Sequence, residues 1–139
     1  MPSAHPTPRR GSVVAVVALG GGLGALARYA VGLSTPDPDA LPWVILAVNT
    51  VGCAGIGVLM VAVTERWDAH PLVRPFLGIG VLGGFTSFSA YAFDVHHLLE
   101  QGRTIIAALY LAGTVVAAMT AVWAGAAAAR RSFPGQAAP

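Results

Sequence analysis

Gly83-Gly84-Phe85-Thr86-Ser87-Phe88-Ser89-Ala90-Tyr91 lies inside a run, Pro75 to about Leu99, that is apolar and long enough to cross a bilayer. Two adjacent glycines and four hydroxyl side chains in nine residues suit a plain spanning helix poorly. Each glycine lowers helix stability by about 1 kcal/mol relative to alanine. Any backbone group that leaves the helix at membrane depth must find a partner in protein or in a water-lined cavity. A break here therefore marks a site, and the rest of the chain reads as its housing.

Working outward, the 139 residues are 55% apolar and 10% charged, outside the range of soluble domains. Four spans are expected, at about 12–33, 42–64, 75–99 and 104–129. They form one all-α integral membrane domain, with a disordered basic arm at 1–11 and a disordered tail at 130–139. The Arg9-Arg10 pair could open a signal peptide, but the apolar run after it continues without a small-residue cleavage site. A formal charge of +2, with arginines scattered between apolar blocks, excludes nucleic acid as a partner. The single cysteine, Cys53, reads as a small buried hydrophobe.

In the first span, Gly20-Gly21-Gly22-Leu23-Gly24-Ala25 imitates a dinucleotide fingerprint, but a second hydrophobic span follows where a βαβ unit is required. Gly20 and Gly24 instead form G-x-x-x-G, which lets another helix approach closely. Arg28 is either a snorkelling arginine or a fixed positive charge that attracts anions. The second span opens at Pro42-Trp43 with an interfacial aromatic. Its Asn49 is either interhelical glue or an amide that donates to a passing anion. Asp94, His96 and His97 resemble a metal cluster without a second contributing segment, and read as a solvated helix end. In the fourth span Tyr110 and Thr114 are four residues apart and share a face; Thr120 falls off it.

Six arginines (Arg9, Arg10, Arg66, Arg74, Arg130, Arg131) fall on one side of a four-span topology and two (Arg28, Arg103) on the other. This places both termini in the cytoplasm of a multi-pass plasma-membrane protein. No span interior holds Asp, Glu or Lys, which argues against a proton-coupled pump and against the small multidrug exporters. Asn, Ser, Thr and Tyr donate hydrogen bonds without carrying charge, and the Phe88 ring edge is electropositive. That inventory suits a small, strongly hydrated anion that is held and then released. No nucleophile–base pair is present, so catalysis is not expected.

Three motifs resemble the Fluc (CrcB) family of fluoride channels. Gly21-Gly22-Leu23-Gly24-Ala25-Leu26-Ala27-Arg28-Tyr29 is similar to G-G-x-x-G-A-x-x-R, and Val48-Asn49-Thr50-Val51-Gly52 to V-N-x-x-G. Gly83 to Tyr91 is similar to G-G-x-T-T-F-S-T-F. The resemblance implies an antiparallel dimer with two anion pathways, passive export of fluoride, and a structural sodium ion at the dimer centre. The sodium would be held by the carbonyls of Gly83 and Thr86, at a third helix broken near Gly83–Thr86. It further implies that Asn49, Phe88, Ser89, Tyr91, Tyr110 and Thr114 line the anion pathway, and that Arg28 is its electrostatic element. Three positions depart from the pattern: Ser87, Ala90 and Tyr91, where the last puts a hydroxyl on a ring that is phenylalanine in the motif. The expected assembly is an antiparallel homodimer, which needs dual topology, or a heterodimer with an oppositely inserted paralogous subunit; the arginine bias, which points to one fixed orientation, suits the heterodimer. The competing expectations are a non-conducting subunit that completes a partner's pore and a small membrane transporter.

Overall fold

The computed structural model describes residues 8–34, 42–66 and 70–132, and no strand forms among them. Four helical stretches, Arg10–Gly32, Trp43–Glu65, Pro75–Glu100 and Thr104–Ser132, are each long and apolar enough to cross a membrane. The first helix begins at Arg10, inside the expected arm, and the last continues to Ser132, into the expected tail. The remainder of both expected disordered segments, 1–7 and 133–139, lies outside the described residues, as does most of the Ser34–Leu41 turn.

Glycine decides which spans touch. Gly20 and Gly24 of the first span face Gly80 and Gly84 of the third, a second G-x-x-x-G stripe. A methyl group on Gly24 would overlap the Val81 carbonyl, and one on Gly84 the Gly21 carbonyl. The two backbones are therefore in contact, the close approach that small residues permit where no hydrophobic effect drives association. The second and fourth spans meet the same way, with Gly57 against Val122 and Gly125 against Ala54. An exposed pair, Arg130 and Glu65 at 3.0 Å, joins the ends of these two spans and puts them on one side.

The third span is not one helix. Residues 75–85 are wound as π-helix over Pro75–Leu82 and finish in a single α-turn, Gly83–Phe85. Thr86 and Ser87 are extended, and α-helix resumes over Phe88–Glu100. The break thus falls just beyond the glycine pair, which itself stays helical. Gly84 is there to pack, and the chain leaves the helix where hydroxyl side chains can receive its freed groups. The second half-helix ends in a Schellman turn: Gly102 at φ 72° lets its own N–H reach the Leu99 carbonyl and that of Arg103 reach Leu98, each at 2.9 Å.

Little of the molecule is interior. The buried cluster is Tyr91, Leu98, Ala107 and Tyr110, where the second half-helix meets the fourth span. Large apolar side chains face outward elsewhere, among them Leu19, Ile79, Phe88 and Trp123. Trp43, expected as an interfacial anchor, is 62% exposed.

Candidate functional site

The site is assembled around Ser87. Its N–H donates to Asn49 Oδ1 at 2.8 Å, and its carbonyl accepts from Asn49 Nδ2 at 3.2 Å. Its hydroxyl accepts from the Ala90 N–H at 3.1 Å, a side-chain N-cap of the second half-helix. Both Asn49 and Ser87 are buried. Asn49, for which the sequence left two readings open, is thereby seen to bind helix to helix, with one amide hydrogen to spare.

These bonds have a consequence for two carbonyls. In an unbroken helix the Ser87 N–H would donate to the Gly83 carbonyl and the Ala90 N–H to that of Thr86, each four residues back. Both donors are engaged elsewhere, so both carbonyls are released from their helical partners. The Thr86 side chain does not compensate, since its hydroxyl donates back to Leu82 at 3.0 Å. Gly83 lies on the exposed surface of the chain.

Beyond Ser87 a line of rings and hydroxyls runs between the second half-helix and the fourth span. The Ser89 hydroxyl, exposed, is 3.2 Å from that of Ser87. Phe88, 80% exposed, packs its ring 5.8 Å from that of Tyr91, which lies 5.6 Å from Tyr110. Tyr91 is buried, and its hydroxyl donates to the Leu111 carbonyl at 2.8 Å. Tyr110 and Thr114 are buried together on one face of the fourth span, as their spacing requires, and Thr120 is exposed off it.

Two contacts at this site were not legible beforehand. The Tyr110 hydroxyl donates to Asp94 Oδ2 at 3.1 Å, so this half-buried carboxylate is part of the line rather than a purely solvated helix end. The spacing Phe88, Tyr91, Asp94, at three-residue steps, is the signal that could have placed it there. Arg28, half-buried, donates from Nε to the Gly84 carbonyl at 3.4 Å. Neither snorkelling nor a free pore-mouth charge describes it fully, because part of its guanidinium braces the third span beside the break.

Four apolar spans, one of them interrupted at membrane depth by buried polar side chains, define a multi-pass membrane protein with an internal site. The chain belongs to the CrcB-like protein, Camphor Resistance (CrcB) family, whose model matches residues 15–126. Among its relatives, Fluoride-specific ion channel FluC 1 of Streptomyces coelicolor is 60% identical over 86% of this chain and 78% of its own. Fluoride-specific ion channel FluC 2 of Nocardia farcinica is 49% identical over 91% of each chain. Fluoride-specific ion channel FluC of Rhizobium etli is 44% identical over 79% of this chain and 90% of its own.

Proposed function

We propose that this chain is a subunit of a fluoride-specific channel that lets fluoride leave the cell passively. The observation that carries the reading is its 60% identity to a fluoride-specific ion channel over 120 residues, 86% of the chain. The site's chemistry supports it. A dehydrating anion needs donors that hold it without trapping it, and hydroxyls and ring edges are such donors. In this reading Phe88, Ser89, Tyr91, Tyr110 and Thr114 line the anion pathway, with the spare amide hydrogen of Asn49 turned to the same anion. Thr114 belongs with them because its buried side chain shares one face of the fourth span with Tyr110. Arg28 keeps a guanidinium edge to raise the local potential.

The released carbonyls of Gly83 and Thr86 fit a structural sodium ion: they are hard, neutral oxygens whose helical donors are engaged elsewhere. A cation there would link the main chain of the break to a neighbouring subunit. Exposed backbone at membrane depth has to be covered by protein, which supports a dimer in which a second subunit closes over Gly83. The arginine bias supports a fixed insertion into the plasma membrane with both termini cytoplasmic. An antiparallel partner would then be a paralogous chain of opposite bias. Fluoride release from vesicles without a proton or sodium gradient tests the reading and separates a channel from a coupled transporter.

A further inference from the structure

We propose that Asn49 is a positioning residue that keeps the third span open at its break, so that the Gly83 carbonyl stays available to a cation. This rests on the cation reading given above and deepens it. The Ser87 N–H sits one residue before a helix and at membrane depth, where water cannot satisfy it. It has two protein acceptors within reach of its backbone: the Gly83 carbonyl four residues back, which would continue the first half-helix, and Asn49 Oδ1 on the second span. Asn49 Oδ1 takes the N–H at 2.8 Å, and Nδ2 also donates to the Ser87 carbonyl, so the side chain brackets the whole residue. The Ser87 hydroxyl repeats the device one step on, capturing the Ala90 N–H that would otherwise return to Thr86. Each released carbonyl thus has one named side chain holding its former donor. Close helix packing keeps the bracket in register, since the Thr86 methyl lies against Gly52, three residues along the second span from Asn49.

Removal of the Asn49 side chain leaves the Ser87 N–H one acceptor, the Gly83 carbonyl, and the cation loses a ligand. Asn49→Asp keeps an oxygen for the Ser87 N–H while placing a negative charge beside the anion pathway, so positioning and conduction separate in that variant. The test uses the full chain in detergent micelles, with thermal unfolding read in sodium chloride and in N-methylglucamine chloride, and the carbonyl 13C resonance of Gly83. The wild type unfolds at higher temperature in sodium, a ligand-linked shift. Asn49→Ala loses that shift and moves the Gly83 carbonyl downfield as it gains a hydrogen bond, whereas Asn49→Asp keeps the sodium shift. Should Asn49→Ala fail to fold, Ser87→Ala and Ser87→Thr ask the same of Thr86: the alanine loses the sodium shift and the threonine, which preserves the cap, keeps it. An Asn49→Ala protein with the wild-type sodium shift and an unmoved Gly83 carbonyl overturns the proposal. Absence of a sodium shift in the wild type overturns the cation reading alone, and the Gly83 resonance in Asn49→Ala then decides the role of Asn49 by itself.

Discussion

The hydroxyl of Tyr91 donates to the carbonyl of Leu111 at 2.8 Å, which ties the second half-helix to the fourth span through the one ring that departs from the family's phenylalanine pattern. The extra oxygen is thus consumed inside the protein, and the ring offers its neighbours an edge, as phenylalanine would. Leu111 lies one residue past Tyr110, so the bond also steadies the turn that carries Tyr110 toward Asp94.

Tyr91→Phe is therefore expected to keep fluoride selectivity and to lose about 1 kcal/mol of stability, the net worth of one neutral hydrogen bond. Thermal unfolding beside an anion-flux assay checks this. A change of selectivity would mean that the hydroxyl faces the anion.

Tyr110→Phe removes the donor to Asp94 and leaves a half-buried carboxylate uncovered beside the proposed pathway. A hydrogen bond to a charged group is worth about 1.5–3 kcal/mol of stability, and an uncovered negative charge beside the pathway should lower fluoride flux. Adding Asp94→Asn to the same chain removes the charge and should restore part of the loss, measured as efflux rates of the two variants side by side.

Gly84→Ala places a methyl group against the Gly21 carbonyl, whereas the same change at Gly11 meets open space. The first should cost about 1–3 kcal/mol through forced separation of the first and third spans. The second should be neutral or gain up to about 1 kcal/mol from helix propensity. Unfolding midpoints in detergent distinguish them.

The arginine distribution predicts that a tag at the C-terminus is found on the cytoplasmic face only. Accessibility labelling in whole cells and in inverted vesicles measures it, and equal labelling in both would contradict the fixed orientation. Glu65 neutralises Arg130 across 3.0 Å, yet the five remaining arginines on that side still outnumber the two opposite.

The sequence carries the four spans because apolar length alone sets them, and a close helix approach at Gly20 and Gly24 because their spacing puts them on one face, though not that Gly80 and Gly84 of the third span meet them. It locates the break within the third span, since glycines and hydroxyls gather there. It does not place the break at Thr86–Ser87, because that depends on an acceptor 38 residues away, Asn49 Oδ1, which no local pattern encodes. The same is true of Arg28 on Gly84 and of Tyr110 on Asp94: each is a contact between spans, and its partner is chosen by packing. Local chemistry shows which groups need a partner, and the tertiary fold chooses it.

The most direct measurement is anion efflux from liposomes that contain only this chain, loaded with sodium fluoride or sodium chloride and followed with ion-selective electrodes under a sodium ionophore. Reconstitution has neither the insertion machinery nor the membrane potential that sorts arginines, so both orientations are present and an antiparallel pair can assemble from one sequence. The account predicts rapid loss of fluoride, retention of chloride, and no dependence on a proton gradient. Fluoride release no faster than from protein-free liposomes, or chloride release at the same rate as fluoride, would contradict it.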